Sequence, residues 1–497
     1  MRRNTGASSH EDVVSPNLGK RAARGAAITM GGQFVRILVQ SIGVVVMARI
    51  LLPEDFGLLA MVIAIIGVGD ILRDFGLSAA AVQAADLSVK QRSNLFWLNT
   101  LLGGVIGGIA YLASWSIASL YGDPRLVAIT QVLAVTFLFN GIAAQFRANL
   151  QRSLAFTSLV VAELAGLTTG VAAGIIGGLA GWGYWALVFQ FVINSAVVMT
   201  VLGMTSKWLP RGYYRGEETR KFIRFGLDLF GYQLLNYSSK NIDSILIGQQ
   251  FGATALGYYN RAFQLLTLPL SQIASPLLRV ALPVLSKVQA DIRTFNIYLA
   301  KAQSALLAAM LFLLIALGAL AEPAVEIVLG DEWLPTAELF RILSIAGVFQ
   351  MLSYPILWGY LALGLTRTNL KQALISRPLT IALIIGGALI SVEGVAWAYA
   401  LGNAIAWPIA LAFLARTSSV DVRPLFRSSV QILFANAMGG IAAFSITHWA
   451  QLDNPWGQIA IGVSVMAGVT AAVILLVPPL RRAYAEVFRS GLKSIRR

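Results

Sequence analysis

The chain has 497 residues, of which 57% are hydrophobic and 12% are charged, and its formal net charge is +15. Soluble globular domains carry about 25% charged residues, so this composition excludes an ordinary soluble domain and favours a membrane protein. The lack of cysteine excludes disulfides, iron–sulfur clusters and thiolate zinc sites. Because His10 and His448 are the only histidines, a histidine metal site is not expected, and we predict no metal and no cofactor.

Apolar runs recur along almost the whole chain. A helix needs about 20 predominantly apolar residues to cross the hydrocarbon of a bilayer. By this criterion the fold class is an all-α polytopic membrane protein with about fourteen transmembrane helices. The spans expected in the first half are 26–50, 57–77, 94–119, 126–146, 155–178 and 181–204. Those of the second half are 224–248, 255–284, 295–320, 336–362, 370–390, 393–415, 428–450 and 456–478.

Basic residues concentrate in alternate loops. If the N-terminus is cytoplasmic, the cytoplasmic loops hold most of the lysines and arginines, including the stretch from Lys207 to Arg220 and the C-terminal tail. The opposite loops carry acids such as Glu54 and Glu332, and little basic charge beyond Arg125. This distribution follows the positive-inside rule and places both termini in the cytoplasm. The basic loops are therefore expected to contact anionic membrane lipids and not nucleic acid.

A weak internal repeat relates the two halves of the chain. Five residues recur at an offset of 200 positions: Arg24, Gly31, Gln33, Ile42 and Gly57 align with Arg224, Gly231, Gln233, Ile242 and Gly257. Six predicted spans separate the copies, so the halves have the same orientation, and two pseudo-symmetric six-helix lobes around a central cavity are expected. The predicted segments are a basic N-terminal segment 1–25, an N-lobe 26–204, a basic linker 205–223, a C-lobe 224–415, two C-terminal helices 416–478 and a basic tail 479–497.

Polar residues inside the predicted spans are the candidate functional residues. A charge near mid-membrane costs at least about 2.5–3.5 kcal/mol, so such side chains are expected to face protein or water. The candidate substrate-binding cations and amides are Arg36, Arg73, Lys240, Arg261, Gln33, Gln40 and Asn236. The candidate acids for ion coupling or pairing are Asp70, Asp74, Asp243 and Glu163.

Some of these charges can pair on their own helix. Asp70 with Arg73, and Lys240 with Asp243, are three positions apart and can meet on one helix face. Pairing and a functional role both remain open for these two clusters. Glu163 is better explained by helix packing.

Arg36 and Arg261 differ from the other cations because neither has an acidic residue within four positions. For them a position on the wall of a water-filled cavity is favoured. Guanidinium groups match phosphate oxygens well, and amides suit sugar hydroxyls. The pattern therefore indicates an anionic, heavily hydroxylated ligand.

The sequence has no Walker loop, no nucleophile–base motif and no paired carboxylates in a predicted aqueous pocket. It therefore predicts neither an ATP-driven transporter nor an enzyme.

Three stretches resemble a known family. They are ARILLPEDFG from Ala48 to Gly57, the run from Phe225 to Asp291, and GDEWLPTAELFRIL from Gly330 to Leu343. Together they are similar to the polysaccharide-transporter branch of the multidrug/oligosaccharidyl-lipid/polysaccharide exporter superfamily, and most of all to its Wzx-type flippases. These act in lipopolysaccharide, capsule or exopolysaccharide biosynthesis.

The resemblance implies two six-helix lobes around a V-shaped cavity, two extra C-terminal helices and alternating access in a bacterial inner membrane. It implies a substrate of undecaprenyl diphosphate carrying an oligosaccharide, flipped to the periplasmic leaflet. The positions that could meet the diphosphate are Arg36, Arg73, Lys240 and Arg261. The expected partners are this lipid-linked oligosaccharide, membrane lipids, and a polysaccharide polymerase with its export machinery.

Two other functions remain open. A cation-coupled small-molecule or drug antiporter of the same superfamily would have a cavity dominated by acids and aromatic side chains, whereas the span charges here lean basic. A membrane-embedded glycan polymerase or ligase would be expected to have a large periplasmic loop, and the predicted outward loops are short.

Overall fold

A computed structural model describes residues 16–74, 88–214, 220–449, 454–478 and 481. Within these residues the fold consists of helices without strands, which confirms the all-α prediction. The α-helices in chain order are α1 (Pro16–Ile50), α2 (Pro53–Asp74), α3 (Val89–Tyr121), α4 (Arg125–Arg152), α5 (Phe156–Leu179), α6 (Tyr184–Thr205), α7 (Arg220–Lys287), α8 (Ile292–Ala319), α9 (Ala321–Val328), α10 (Pro335–Ala362), α11 (Thr366–Ala388), α12 (Val392–Thr417), α13 (Val422–Trp449) and α14 (Pro455–Leu476). A short 3₁₀ helix, Asp331–Trp333, precedes α10.

The chain is a multi-pass membrane protein. Within the described ranges, eleven helices are long and apolar enough to cross a membrane. They are α1 to α6, α8, α10, α12, α13 and α14. Two of the remaining predicted spans lie in α7, where many side chains are outside the described set, and the third lies in α11, where Lys371 and Arg377 lower the hydropathy.

Helix α7 is interrupted at one residue. Gly252 has φ 82° and ψ −177°, whereas the helix extends from Arg220 to Lys287 around it. Only glycine adopts this backbone conformation without strain, because it lacks a Cβ. The small-residue stretch between the two predicted spans is therefore a one-residue break that separates a first segment, 220–251, from a second segment, 253–287.

The chain divides into two compact units. Unit 1 consists of the described residues within 1–47, 66–115 and 127–234, and unit 2 of those within 48–65, 116–126 and 235–497. Helices α13 and α14 therefore belong to unit 2. The extents that the repeat suggests for the two lobes, 26–204 and 224–415, stay predictions.

Aromatic and small side chains form the interior of unit 1. Phe96 of α3 lies 5.5 Å from Phe146 of α4, measured between ring centroids, and both rings also contact Trp208. Leu202 of α6 is fully buried in the same cluster. This cluster holds the chain that follows α6 against α3 and α4.

Helix α10 forms the centre of unit 2. It packs against α8 and α12 and is the most buried of the eleven apolar helices. The Tyr360 hydroxyl donates a hydrogen bond to the carbonyl of Ala410 at 2.8 Å. Gln303 of α8 is buried and donates to the carbonyl of Leu425 at 2.7 Å, which attaches α13. Buried polar groups need such partners, so these contacts determine how the helices are aligned.

Residues 48–65, which we call the corner segment, join the end of α1 to the start of α2 within unit 2. Pro53 is the first residue of α2, where its missing N–H costs nothing and its fixed φ suits a helix. The Asp55 carboxylate accepts a hydrogen bond from the backbone N–H of Leu52 at 3.0 Å. Glu54 and Asp55 also place negative charge in the first turn, which favours the positive end of the helix dipole. The residues LLPEDFG thus specify a sharp helix start.

The corner segment crosses the second segment of α7 in direct backbone contact. A Cβ added to Gly57 would lie 1.7 Å from the carbonyl oxygen of Ala253. A Cβ added to Gly257 would lie 2.0 Å from the carbonyl oxygen of Pro53. The contact is reciprocal, because both glycines and both of their partners are 200 positions apart. The repeat therefore corresponds to a symmetric helix crossing that only glycine permits.

Replacing either glycine with alanine should force these helices apart. We expect Gly57→Ala and Gly257→Ala each to lower the free energy of unfolding by about 1–3 kcal/mol, the usual cost of overpacking. Thermal melting of the purified protein in detergent measures the effect. Gly104→Ala is the matched control, because nothing lies within 4 Å of a Cβ added there. Wild-type melting of Gly57→Ala would contradict the prediction.

Candidate functional site

Arg36 forms an ion pair in unit 1. Its Nη1 lies 3.6 Å from Oε2 of Glu163, a residue of α5, and the two side chains are 51% and 43% exposed. On the same helix, Gln33 is exposed and Gln40 is half-buried. At 3.6 Å, and with both groups partly exposed, this is a weak ion pair. Arg36 could therefore exchange Glu163 for another anion at small cost.

Arg73 pairs with Asp70 on its own helix. Its Nε lies 3.3 Å from Oδ1 of Asp70, and its side chain is 12% exposed. This is the i,i+3 pairing that the spacing allows. The side chain of Asp74 lies outside the part of the chain that the structure describes. Arg73 is therefore already neutralised locally.

Asp243 is buried in unit 2. It accepts a hydrogen bond from the Tyr259 hydroxyl at 2.7 Å and one from the backbone N–H of Ser244 at 2.8 Å. The side chains of Lys240 and Asn236 are not among those described. The predicted Lys240–Asp243 pair therefore stays a prediction, while a phenol on the second segment of α7 is the partner that the structure shows.

A series of aromatic contacts links Asp243 to α12. Tyr259 stacks on Phe263 with ring centroids 6.1 Å apart, and Phe263 contacts Tyr399 edge to face at 5.5 Å. The amide of Gln350 donates to the Tyr399 hydroxyl at 2.9 Å. The carboxylate thus lies in a largely apolar environment that includes a few hydrogen-bonding groups.

Arg261 is enclosed by aromatic side chains. Its guanidinium carbon lies 3.7 Å from the ring centroid of Phe56 and 5.8 Å from that of Trp333. It donates a hydrogen bond to Gln264, while its Nε has no partner among the described residues. Desolvated cation–π contacts contribute about 2 kcal/mol or more. In this structure Arg261 lies inside protein and not on an open cavity wall, and its predicted contact with substrate stays a prediction.

The side chains around Arg261 are themselves held in place. The Trp333 indole N–H donates to the carbonyl of Ala48 at 2.7 Å, and its ring meets Phe56 edge to face at 5.3 Å. Sequence reasoning selected Arg261 but missed Phe56, Trp333 and the partner of Asp243. A signal was present, because Phe56 lies in PEDFG and Trp333 in GDEW, two of the stretches that carry the family resemblance.

Polar contacts attach the first part of the corner segment to its neighbours in unit 2. Arg49 donates to the carbonyl of Ile327 in α9 at 2.6 Å. Arg125 bridges Glu54 at 2.5 Å and Asp123 at 2.7 Å. The hydrogen bond from Arg125 holds the pKa of the Asp123 carboxyl below its usual range. Arg125, the first residue of α4, therefore links an acid at the start of α2 to the residues that precede α4.

The comparisons with known proteins agree with the fold. A family profile described as polysaccharide biosynthesis protein matches residues 46–338. The teichuronic acid biosynthesis protein TuaB of Bacillus subtilis is 28% identical, covering 85% of this chain and 88% of its own. The lipopolysaccharide biosynthesis protein WzxC of Escherichia coli is 26% identical, covering 73% and 75%. The structure of the lipid II flippase MurJ in an inward closed conformation matches with a TM-score of 0.69 and 17% identity over 90% of this chain and 99% of that one, which shows a shared fold.

A double-mutant cycle tests the enclosure of Arg261. We expect Arg261→Met and Phe56→Leu to be non-additive by about 0.5–2 kcal/mol, because either change removes the same cation–π contact. Unfolding in sodium dodecyl sulfate gives the four free energies. In the comparison cycle, Arg341→Met with Phe444→Leu, the guanidinium lies 4.9 Å from a partly exposed ring, and a smaller coupling is expected. Additivity in the first cycle would show that the contact contributes nothing.

Proposed function

The chain belongs to the family of polysaccharide biosynthesis proteins, and we propose that it is a flippase that moves a lipid-linked oligosaccharide across a bacterial inner membrane. The observation that carries the proposal is a multi-pass helical fold in a member of this family. Sugars assembled on a membrane lipid must cross the hydrocarbon before they can be polymerised outside. A bundle of membrane-length helices suits that step.

The proposed substrate is undecaprenyl diphosphate carrying an oligosaccharide repeat unit. The names of two relatives support this class, because one acts in teichuronic acid biosynthesis and the other in lipopolysaccharide biosynthesis. The shared fold with a lipid II flippase is consistent with a substrate that has a lipid tail and a large polar head. The polymer could then be an exopolysaccharide, a capsule or a lipopolysaccharide.

We assign the diphosphate contact first to Arg36. Its guanidinium is half exposed, and its bond to Glu163 is long enough to exchange. A planar guanidinium binds phosphate oxygens through two parallel hydrogen bonds. Arg73 and Lys240 are the further proposed cations, and the amides of Gln33, Gln40 and Asn236 are the proposed sugar contacts. Arg261 joins them only in a conformation in which Phe56 and Trp333 no longer cover it.

The proposed mechanism is alternating access without ATP. The sequence contains no Walker loop, so an ion gradient or the membrane potential would bias the cycle. Asp243 is the best placed of the four coupling acids, since it is buried against Tyr259. Asp70, Asp74 and Glu163 are the others. Both termini are proposed to face the cytoplasm, and a polymerase with its export machinery would receive the oligosaccharide on the opposite side.

Deletion of the gene should strand the lipid-linked oligosaccharide on the cytoplasmic leaflet. The measurement is the fraction of glycan-bearing lipid that a membrane-impermeant glycan oxidant can reach in intact spheroplasts and in inverted vesicles. We expect the label in inverted vesicles to rise in the deletion strain and to return to normal on complementation. Sensitivity to cationic drugs without stranded glycan would instead indicate the antiporter function.

A charge swap separates substrate binding from ion pairing at Arg36. Arg36→Glu should reduce transport by about tenfold or more, since charge-assisted hydrogen bonds contribute about 1.5–3 kcal/mol. The double variant Arg36→Glu with Glu163→Arg re-forms the pair but should remain defective, because the cation has moved to another helix. Export of polymer, normalised to the amount of protein in the membrane, measures both.

Arg416→Glu is the matched control, because it reverses an exposed charge at the end of α12 and should leave export normal. Recovery of transport in the swapped variant would contradict the assignment. Arg36 would then act through Glu163 and not through the substrate.

A further inference from the structure

A groove lies at one end of unit 1, between the start of α3 and the chain that follows α6. Its volume is about 730 Å³, and its walls include Val89, Met204, Lys207, Trp208, Leu209 and Arg211. Lys207 has φ 49°, which turns the chain away from α6. Residues 207–214 continue without regular secondary structure. We call them the clasp segment.

Side chains of α3 fix the clasp segment by hydrogen bonds to its backbone. Asn94 and Tyr214 exchange two bonds of 2.8 Å, one in each direction. The Trp97 indole N–H donates to the carbonyl of Arg211 at 2.7 Å, and the Arg211 N–H donates to the Ser93 hydroxyl at 3.1 Å. These bonds use the backbone of Arg211 and not its guanidinium. The groove is therefore preformed, and among the described residues the guanidinium of Arg211 makes no hydrogen bond that holds the clasp segment.

Two buried donors lie beside the groove. The indole N–H of Trp208 and the Nε–H of Arg92 have no hydrogen-bond partner among the described residues. The Arg92 guanidinium lies 5.4 Å above the Trp208 ring and donates to Asn149 at 2.7 Å through its Nη1. The cation–π contact with Arg92 thus holds the Trp208 ring, which forms part of the groove wall.

The rim of the groove combines exposed apolar and basic side chains. Met204 is 76% exposed and Leu209 is 77% exposed. Lys207 and Arg211 are exposed next to them. Basic heads next to apolar side chains are typical of the membrane interface, where the apolar part enters the acyl region and the cation meets the headgroup. Each such cation contributes about 1 kcal/mol of attraction to an anionic membrane surface.

We propose that this groove binds an anionic glycerophospholipid, with its phosphate between Lys207 and Arg211 and its upper acyl chains against Met204 and Leu209. The location favours bulk phospholipid over the transported substrate. The groove lies at the ends of α3 and α6, where the apolar spans finish and where phospholipid headgroups are abundant. The bound lipid would fix the clasp segment at the level of the headgroups.

Native mass spectrometry of the purified full-length protein tests the site. The protein is titrated separately with phosphatidylglycerol, phosphatidylcholine and undecaprenyl diphosphate. The test variant is Lys207→Gln with Arg211→Gln, and the control is Arg416→Gln with Arg423→Gln, two exposed cations elsewhere. We expect the first phosphatidylglycerol to bind the test variant on the order of tenfold more weakly than the wild type, with the control and phosphatidylcholine unchanged.

A charge-preserving variant shows whether weaker binding results from the lost charges or from misfolding. Lys207→Arg with Arg211→Lys should bind phosphatidylglycerol as the wild type does. If phosphatidylglycerol bound the Arg416/Arg423 control as weakly as the test variant, the proposal would be overturned. The weaker binding would then result from the lower net charge of the protein and not from this groove. Loss of undecaprenyl diphosphate binding with phosphatidylglycerol binding intact would also overturn it and would assign the groove to the substrate.

Discussion

The contact between the backbones of α2 and α7 is the constraint on which much of unit 2 depends. At Gly57 and Gly257 no atom of a side chain separates the two helices, so their spacing is set by main-chain atoms. That closeness brings Phe56 within cation–π distance of Arg261, and it aligns Trp333 with the carbonyl of Ala48. A buried guanidinium is tolerated here because the surrounding rings replace part of its hydration.

The three stretches that carry the family resemblance meet at this crossing. The first supplies Phe56 and Gly57, the second supplies Gly257 and Arg261, and the third supplies Trp333. Far apart in sequence, they form one packed cluster in unit 2. The resemblance therefore reflects how a corner of the fold is built at least as much as how a substrate is held.

Patterns within short stretches of sequence predicted the features that depend on neighbouring residues, namely the helices and one helix start. Apolar length located most of the helices, and the residues before Phe56 specify a helix start through Pro53 and Asp55. The partners of the span charges depend on tertiary packing and could not be found in this way. Arg36 meets Glu163 from another helix, and Arg261 meets rings on two others. The eight-residue α9 was also missed, because it is shorter than a span and lies in a predicted loop.

The reciprocal crossing has the form of an isologous interface, in which each partner presents the same patch to the other. Here both patches belong to one chain, so the two copies of the repeat need not have the same sequence. They can carry different residues wherever side chains, and not backbones, make the contact. They do differ: the counterpart of Arg261 is Met61, and the counterpart of Phe56 is Leu256. The main chain thus keeps a two-fold symmetry that the side chains break, and the break leaves Arg261 without a basic counterpart.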